Sequence, residues 1–512
     1  MTALRTLAEG IGLTVDAGAP GELRAECDPD DFKARVTALA SGALLSDLFA
    51  VTGRGQPSLT VVFEAAGDPG WLVLRTRLHG DSFASLTPST HVASWYEREI
   101  HEMHGLTPVG HPAPARLRLH DWPKDQPPMR APLSTSLGVG RGAPAPVPIV
   151  HGQGVFQLPL GPVRSGPQES GEFLFNSGGE DLVAVSPLLG FKLRAIERTA
   201  EERTVDQGLM LAERIAGVSS FSNGLAFVQA VERAAGVEVS AQAQAARTLM
   251  NELERLHNHF GDIARLAEAT GLMVAGAQYA SLKEEVLRHC ADVAQHRYLR
   301  GILAVGGLCV PPAVSALRAL QQRLRDWRTR SERLERLLED TSTFIDRLET
   351  TAVLTPAYAA PHNLVGPIGR STGADRDCRR DHPYAGYGDV SFEVPVKSQG
   401  DALARLSIRL FEIRQSLRII EQLLATWPAS SADAPRPTLV SGEALGWSEG
   451  AGGETLHWVE VTDDGRIAKW RARPPAFVNW HPYAQACASG NNLTDYPVIE
   501  ASFGLSIAEF DR

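Results

Sequence analysis

Residues 213–232 read Glu-Arg-Ile-Ala-Gly-Val-Ser-Ser-Phe-Ser-Asn-Gly-Leu-Ala-Phe-Val-Gln-Ala-Val-Glu, and this stretch contains no cysteine. Neither does the segment 502–512, Ser-Phe-Gly-Leu-Ser-Ile-Ala-Glu-Phe-Asp-Arg. The five cysteines of the chain, Cys27, Cys290, Cys309, Cys378 and Cys487, lie far apart, so no C-x-x-C occurs anywhere. That spacing excludes the common local zinc and iron–sulfur patterns, and an odd count suits a reducing cytoplasm. Buried, inert thiols are the expectation.

At 512 residues the chain exceeds one compact core, so two or more domains are expected. Its 43% hydrophobic and 21% charged residues suit a folded soluble protein. A net charge of −10 argues against a nucleic-acid partner, which needs a basic face. No apolar run approaches the ~20 residues that span a bilayer. Met1 to Leu13 has no long apolar core before a cleavage site, so no export signal is expected. Association with a membrane would come through partners.

Leu59, Val61 and Phe63 alternate within 56–65, and Leu72, Leu74 and Thr76 share a face within 71–78. The spacing predicts two strands, with Asp68-Pro69-Gly70 turning between them. Amphipathic helices are expected over 30–48 and 94–103, making residues 1–122 a small α/β domain. Pro123, Pro127, Pro128, Pro132, Pro144, Pro146 and Pro148, with Gly138, Gly140 and Gly142, mark 123–150 as a Pro/Gly-rich linker. Residues 151–512 read as mainly helical. Met250, Leu253, Leu256, Phe260 and Ile263 mark one buried helix face, and 313–350 and 401–427 predict further helices. Arg323, Arg325, Arg328, Arg330 and Arg333 read as a solvated face. Short strands are expected at 155–160, 172–186 and 455–473, which makes the whole an α+β chain.

The run Trp95-Tyr96-Glu97-Arg98-Glu99-Ile100-His101-Glu102-Met103-His104-Gly105-Leu106, then Gly110-His111-Pro112 and Asp121-Trp122-Pro123, is similar to the signature of the C-type subunit of complex I. From residue 151 the chain resembles the D-type subunit of complex I and the large subunit of group 4 nickel–iron hydrogenases, of the formate hydrogenlyase and hydrogenase-4 type. The resemblance rests on Gly366-Pro367-Ile368-Gly369-Arg370-Ser371-Thr372-Gly373, Asp377-Cys378-Arg379-Arg380, Pro383-Tyr384, and Glu412-Ile413-Arg414-Gln415-Ser416. Glu254-Arg255-Leu256-His257-Asn258-His259 matches a further family helix, and Glu509-Phe510-Asp511-Arg512 is similar to the ending of the D-type chains. It implies a fused C/D-type polypeptide with a hydrogenase-large-subunit-like helical domain.

In the hydrogenases that this chain resembles, the segments corresponding to 213–232 and 502–512 carry two thiol pairs. Ala216, Ser219, Ser506 and Glu509 stand at those positions. A methyl, two hydroxyls and a carboxylate do not replace four soft thiolates, so the nickel–iron centre is expected to be absent. The quinone head-group residues of the D-type chains, a histidine and a tyrosine, map to the 161–169 loop and to Arg214-Ile215-Ala216-Gly217, where neither occurs. Quinone stays possible by family, and NAD only through a wider complex. Glu169 stands at an acidic position that supports magnesium in metal-containing relatives.

The resemblance also maps Arg214, Asp377, Arg379, Glu509 and Arg512 to the former active-site cavity. Two readings stay open: a proton-relay or coupling network, or inherited salt bridges. Glu97, Arg98, Glu99 and His111 are expected at an interface with a partner chain, with pairing of Glu97, Arg98 and Glu99 only among themselves as the alternative. His101 with His104, and His257 with His259, lack the spacing of a zinc motif and are expected to be core or surface histidines.

The resemblance implies a component of a membrane-associated respiratory-type oxidoreductase complex, coupling electron transfer to ion translocation. It would lie on the cytoplasmic inner face of the membrane, with an iron–sulfur subunit of the 20-kDa type and antiporter-like membrane subunits as partners. A redox-inactive scaffold in such a complex is the alternative.

Overall fold

Five strands open the fold: β1 (Asp16–Ala17), β2 (Glu22–Cys27), β3 (Leu44–Val51), β4 (Ser58–Ala65) and β5 (Asp68–Arg77). They form one sheet in the order β1-β2-β5-β4-β3, with β2 and β5 parallel and the other neighbours antiparallel. The computed structural model describes residues 1–53, 55–120, 122–123, 126–130, 149–164, 169–428 and 437–512. Most of the expected linker, including Pro132, Pro144, Pro146 and Pro148, lies outside them.

Alternation decides which side chains face which core. Leu59, Val61, Phe63, Leu72 and Leu74 pack with Leu4, Val36 and Ile100 of the helices α1 (Thr2–Gly10), α2 (Phe32–Leu39) and α3 (Ala93–His104). Val62, Trp71 and Val73 point the other way, into the core that holds Trp447 and Trp458. The first cluster also takes in Phe173, Trp480 and Phe510, so residues from both ends of the sequence share it.

Burial on both faces explains one departure from expectation. The helix expected over 30–48 ends at Leu39, and Leu44–Val51 is a strand. A strand covered on both sides reads as a continuous apolar run, and periodicity cannot separate that from a buried helix. The turn before β5 falls at Ala66-Gly67, and Asp68-Pro69-Gly70 already belongs to the strand.

The strands expected at 172–186 and 455–473 are each a hairpin, Glu172–Gly178 with Asp181–Leu188 and Gly453–Val461 with Ile467–Arg473. The strand Gly442–Gly450, which the apolar pattern did not predict, pairs with Gly453–Val461. The helices Ser220–Ala235, Ala241–Ala269, Met273–Ala294, Val314–Glu339 and Ala402–Ala425 make the helical layer. The helix expected over 313–350 breaks after Glu339 and resumes at Ser342–Leu348. Arg328 and Arg330 pair with Glu421 and Glu285, and Arg323, Arg325 and Arg333 are exposed, as a solvated face requires. No helix among the described residues is long and apolar enough to cross a membrane.

Close approach of helix and strand sets the position of the interior. Gly442, Gly446 and Gly450 recur every fourth residue along their strand. A Cβ on them would meet Ala234 O, Ala226 O and Ser222 Oγ of the Ser220–Ala235 helix. Only a backbone without side chains lets the helix lie this close to the sheet.

Candidate functional site

The inner side of the Ala241–Ala269 helix carries Glu252, Arg255 and His259, one turn apart, all buried. Arg255 reaches Glu252 at 3.4 Å and Glu412 of the Ala402–Ala425 helix at 3.3 Å. His259 Nε2 lies 2.8 Å from Glu412. From the loop side, Arg370 pairs with Glu412, with Glu449 at 3.0 Å and with Asp377 at 3.4 Å. Asp377 accepts Arg379 Nη2 at 2.7 Å and Nε at 2.9 Å, and its side chain also caps the Cys378–Asp381 turn. Arg379 reaches back to Glu252 at 3.2 Å, which closes the ring. Tyr387 and Ser416 donate to Glu252, each at 2.5 Å.

Three guanidiniums (Arg255, Arg370, Arg379) thus meet four carboxyls (Glu252, Asp377, Glu412, Glu449). Burial opposes ionisation of Glu412, and Arg370, His259 and Arg255 overcome it, holding the group well below the usual carboxylate range. Burial and the nearby Asp377 push Glu449 up to about 7. Glu449 is therefore the carboxyl of the four that most readily takes up a proton, which relieves the excess negative charge.

A second site lies beyond His259 and Asp262 on the same helix. Arg409 donates to Asp262 at 3.2 Å and to the carbonyls of Ser502 and Phe503 at 2.7 and 3.0 Å. Beside it is a cavity of about 40 Å³ that Ser219, Asn258, Ser506 and Glu509 help to line. Ser219 Oγ donates to Glu509, and Asn223 Nδ2 donates to Ser219 Oγ at 2.9 Å. Ser506 Oγ donates to Glu169 at 3.1 Å, and the backbone N–H of Ala508 donates to the same carboxylate at 2.9 Å. Burial pushes Glu509 up to about 7 despite the Ser219 hydroxyl. Glu254, which accepts the Phe221 and Ser222 amides at 2.6 and 3.0 Å, is pushed by burial to about 7 as well. Ser219, Ser506 and Glu509 thus meet at one cavity, whereas Ala216 is buried and its carbonyl accepts Ser220 Oγ at 3.1 Å. Ser165 to Gln168 of the 161–169 loop lie outside the described residues.

The other expected site residues separate from these. Arg214 is exposed and donates to the Met210 carbonyl of its own turn at 2.7 Å, so it does not reach the cavity. Arg512 belongs to a third cluster, where it meets Glu99 at 2.6 Å and Glu197 at 3.2 Å. Arg471 bridges Glu99 at 2.7 Å and Asp47 at 3.0 Å, and Arg118 also pairs with Glu99. The one network expected from sequence is therefore several.

The residues expected at an interface find partners within this chain. Glu97 is fully buried and accepts Ser85 Oγ and Thr87 Oγ1, each at 2.6 Å. Glu99 is enclosed by three arginines, and His111 is buried 3.9 Å from Glu97. Arg98 alone of the four is partly open, and it donates to the Ala115 and Arg116 carbonyls at 2.6 and 2.8 Å. Charges that look free in sequence are paired here because the fold buries them. His257 and His259 are core histidines. Sequence reasoning missed Arg370, Glu412 and Glu449 as members of the first cluster; Arg370 and Glu412 lay inside the family motifs, whereas Glu449 gave no signal.

Comparison with known proteins places this geometry. The family "respiratory-chain NADH dehydrogenase, 30 Kd subunit" matches residues 25–136. "Nickel-dependent hydrogenase" matches 194–264, and "respiratory-chain NADH dehydrogenase, 49 Kd subunit" matches 266–441. The chain is a fused 30-kDa-like and 49-kDa-like polypeptide with a hydrogenase-like region. Formate hydrogenlyase subunit 5 of Escherichia coli (strain K12) is 28% identical over 460 residues, covering 87% of this chain and 80% of the relative. A D-type NADH-quinone oxidoreductase subunit of Koribacter versatilis (strain Ellin345) is 29% identical over 399 residues, 72% of this chain and 99% of its own. A chain of the membrane-bound sulfane sulfur reductase, an archaeal respiratory membrane complex, superposes with a TM-score of 0.66 at 26% identity, covering 70% of this chain and 99% of that one. The first and second charge clusters draw most of their residues from the hydrogenase-like and 49-kDa-like regions. Glu99 and Arg118 of the third come from the 30-kDa-like region.

Proposed function

We propose that this fused polypeptide is a component of a membrane-associated respiratory-type oxidoreductase complex, in which its interior couples protonation to the movement of its partners. The observation that carries the reading is the set of buried carboxyls, Glu254, Glu449 and Glu509, each pushed up to about 7. Such groups exchange a proton at physiological pH. The partners of this reading are an iron–sulfur subunit of the 20-kDa type and antiporter-like membrane subunits. Its site is the cytoplasmic face of the membrane, and the complex would link electron transfer to ion translocation.

The donor set at the hydrogenase ligand positions does not fit a nickel–iron centre. Ala216 offers no donor, and the Ser219 and Ser506 hydroxyls are hydrogen-bonded to the Glu509 and Glu169 carboxylates. Hard oxygen donors of this kind are mismatched to a site that thiolates build. The magnesium role expected for Glu169 has a competitor in the same contacts, since that carboxylate already accepts Ser506 and two backbone amides.

A second reading, a redox-inactive scaffold that couples its neighbours, is favoured by the mutual pairing of the charges around Arg255, Arg370 and Arg379. Native isolation from membranes with mass spectrometry of the co-purifying chains tests the assembly. Recovery with an iron–sulfur subunit and antiporter-like membrane chains is expected. Recovery of the chain alone and free of membranes overturns both readings.

A further inference from the structure

His91, His362 and His481 converge although they lie far apart in sequence, with one ring nitrogen of each within 4.8 Å of the others. His91 precedes α3, His362 sits in the 3-10 turn Ala360–His362, and His481 follows the helix Pro475–Asn479. Ring centroids are 4.8 Å apart for His91 and His362, 5.1 Å for His91 and His481, and 4.7 Å for His362 and His481. The three belong to none of the motifs that carry the family resemblance.

We propose that these three histidines bind a divalent transition metal, zinc first among them, at the junction of the 30-kDa-like and 49-kDa-like parts. Three imidazoles with a fourth position open suit tetrahedral zinc, which takes nitrogen ligands at about 2.1 Å. Ligand nitrogens in that geometry lie about 3.4 Å apart, so side-chain rotation of roughly 1 Å closes the present spacing.

Several observations support the assignment. His362 Nδ1 lies 2.8 Å from the Tyr358 carbonyl, so it donates there and leaves Nε2 free as a ligand. That is the outer contact by which metal-binding histidines are oriented. The ring nitrogens of His91 and His481 have no hydrogen-bond partner among the described residues. Trp95 stacks on His481 at 4.8 Å, which walls one side of the site with an apolar ring. His91 is exposed, so the cluster can be reached from solvent.

The test uses the purified full chain, stripped with a chelator and titrated with Co²⁺ alone, then with Zn²⁺ as competitor. One Co²⁺ per chain with the visible bands of tetrahedral cobalt is expected, displaced by Zn²⁺. His362→Ala and His481→Ala are expected to weaken binding by more than the roughly 10–100-fold that loss of an outer contact costs. His91→Ala, at an exposed position, keeps the metal-free melting temperature and still loses cobalt affinity. Metal raises the melting temperature of the native chain and not of this variant. Equal cobalt affinity in the native chain and in His91→Ala, or no saturable site in a folded native chain, overturns the proposal.

Discussion

Glu99 on α3 and Arg512 form an ion pair at 2.6 Å across 413 positions of sequence. Both side chains are buried, and Arg471 and Arg118 close on the same carboxylate. Burial opposes ionisation of Glu99, and the guanidiniums of Arg471, Arg512 and Arg118 overcome it, holding its carboxyl well below the usual range. Asp47 and Glu197 supply further negative charge around the arginines. The cluster links the 30-kDa-like sheet to the far end of the chain.

Glu99→Gln leaves those arginines short of a counter-charge. It is expected to destabilise the chain by about 3–5 kcal/mol, the cost of breaking a buried pair from one side. Because the folded-state value of Glu99 is depressed, its contribution is present above the ordinary carboxylate value of 4.5 and is lost as pH falls below it. Urea unfolding at pH 7 and at pH 4 checks both statements. A native-like midpoint for the variant at pH 7 counts against the cluster.

Glu509 behaves in the opposite sense. Its value is raised from 4.5 to about 7, so its contribution is full below 4.5 and is lost as pH rises through about 7. Glu509→Gln removes that loss. The variant is expected to gain up to about 3 kcal/mol over the native chain at pH 8, and little at pH 4. Denaturant midpoints across that range measure it, and identical profiles for the two chains refute it.

Asp377 raises Glu449 by its negative charge, second only to burial. Asp377→Asn keeps the shape and removes the charge, so Glu449 is expected to release its proton at lower pH. Infrared difference spectra of the protonated-carboxyl stretch follow this group directly. An unmoved titration shows that the two carboxyls do not interact.

Gly446→Ala places a methyl against the Ala226 carbonyl and the Ala230 backbone, which have no side chain to turn aside. The Ser220–Ala235 helix must lift from the sheet, at a cost of about 1–3 kcal/mol or more. Thermal unfolding is expected to show the loss. Gly465→Ala, whose added methyl only touches Leu439 side-chain atoms at 3.6 Å or more, tests strain of the backbone instead, because its φ is +72°.

Much of the fold is legible in sequence because its causes are local. Met250, Leu253, Leu256, Phe260 and Ile263 mark the Ala241–Ala269 helix by spacing alone, and all are buried. Alternation predicts β4 and β5. The strand Gly442–Gly450 is not legible, because its glycines serve a helix packed across it and leave no apolar rhythm. For the same reason the motif around Asp377 and Arg379 can be read, while Glu449, which completes their cluster, cannot.

The sequence by itself determined the fused 30-kDa-like and 49-kDa-like organisation and the absence of cysteine pairs, since residue identity and order suffice for both. It also determined the main helices, whose periodicity follows from backbone geometry over a few turns. The tertiary structure alone decided which charges meet. It turned Glu97 and Glu99 inward, left Arg214 in solvent, sent Arg512 to Glu99, and brought His91, His362 and His481 together. Contacts between residues hundreds of positions apart depend on how helices and sheets pack, and their pairing energy exists only once burial has removed water.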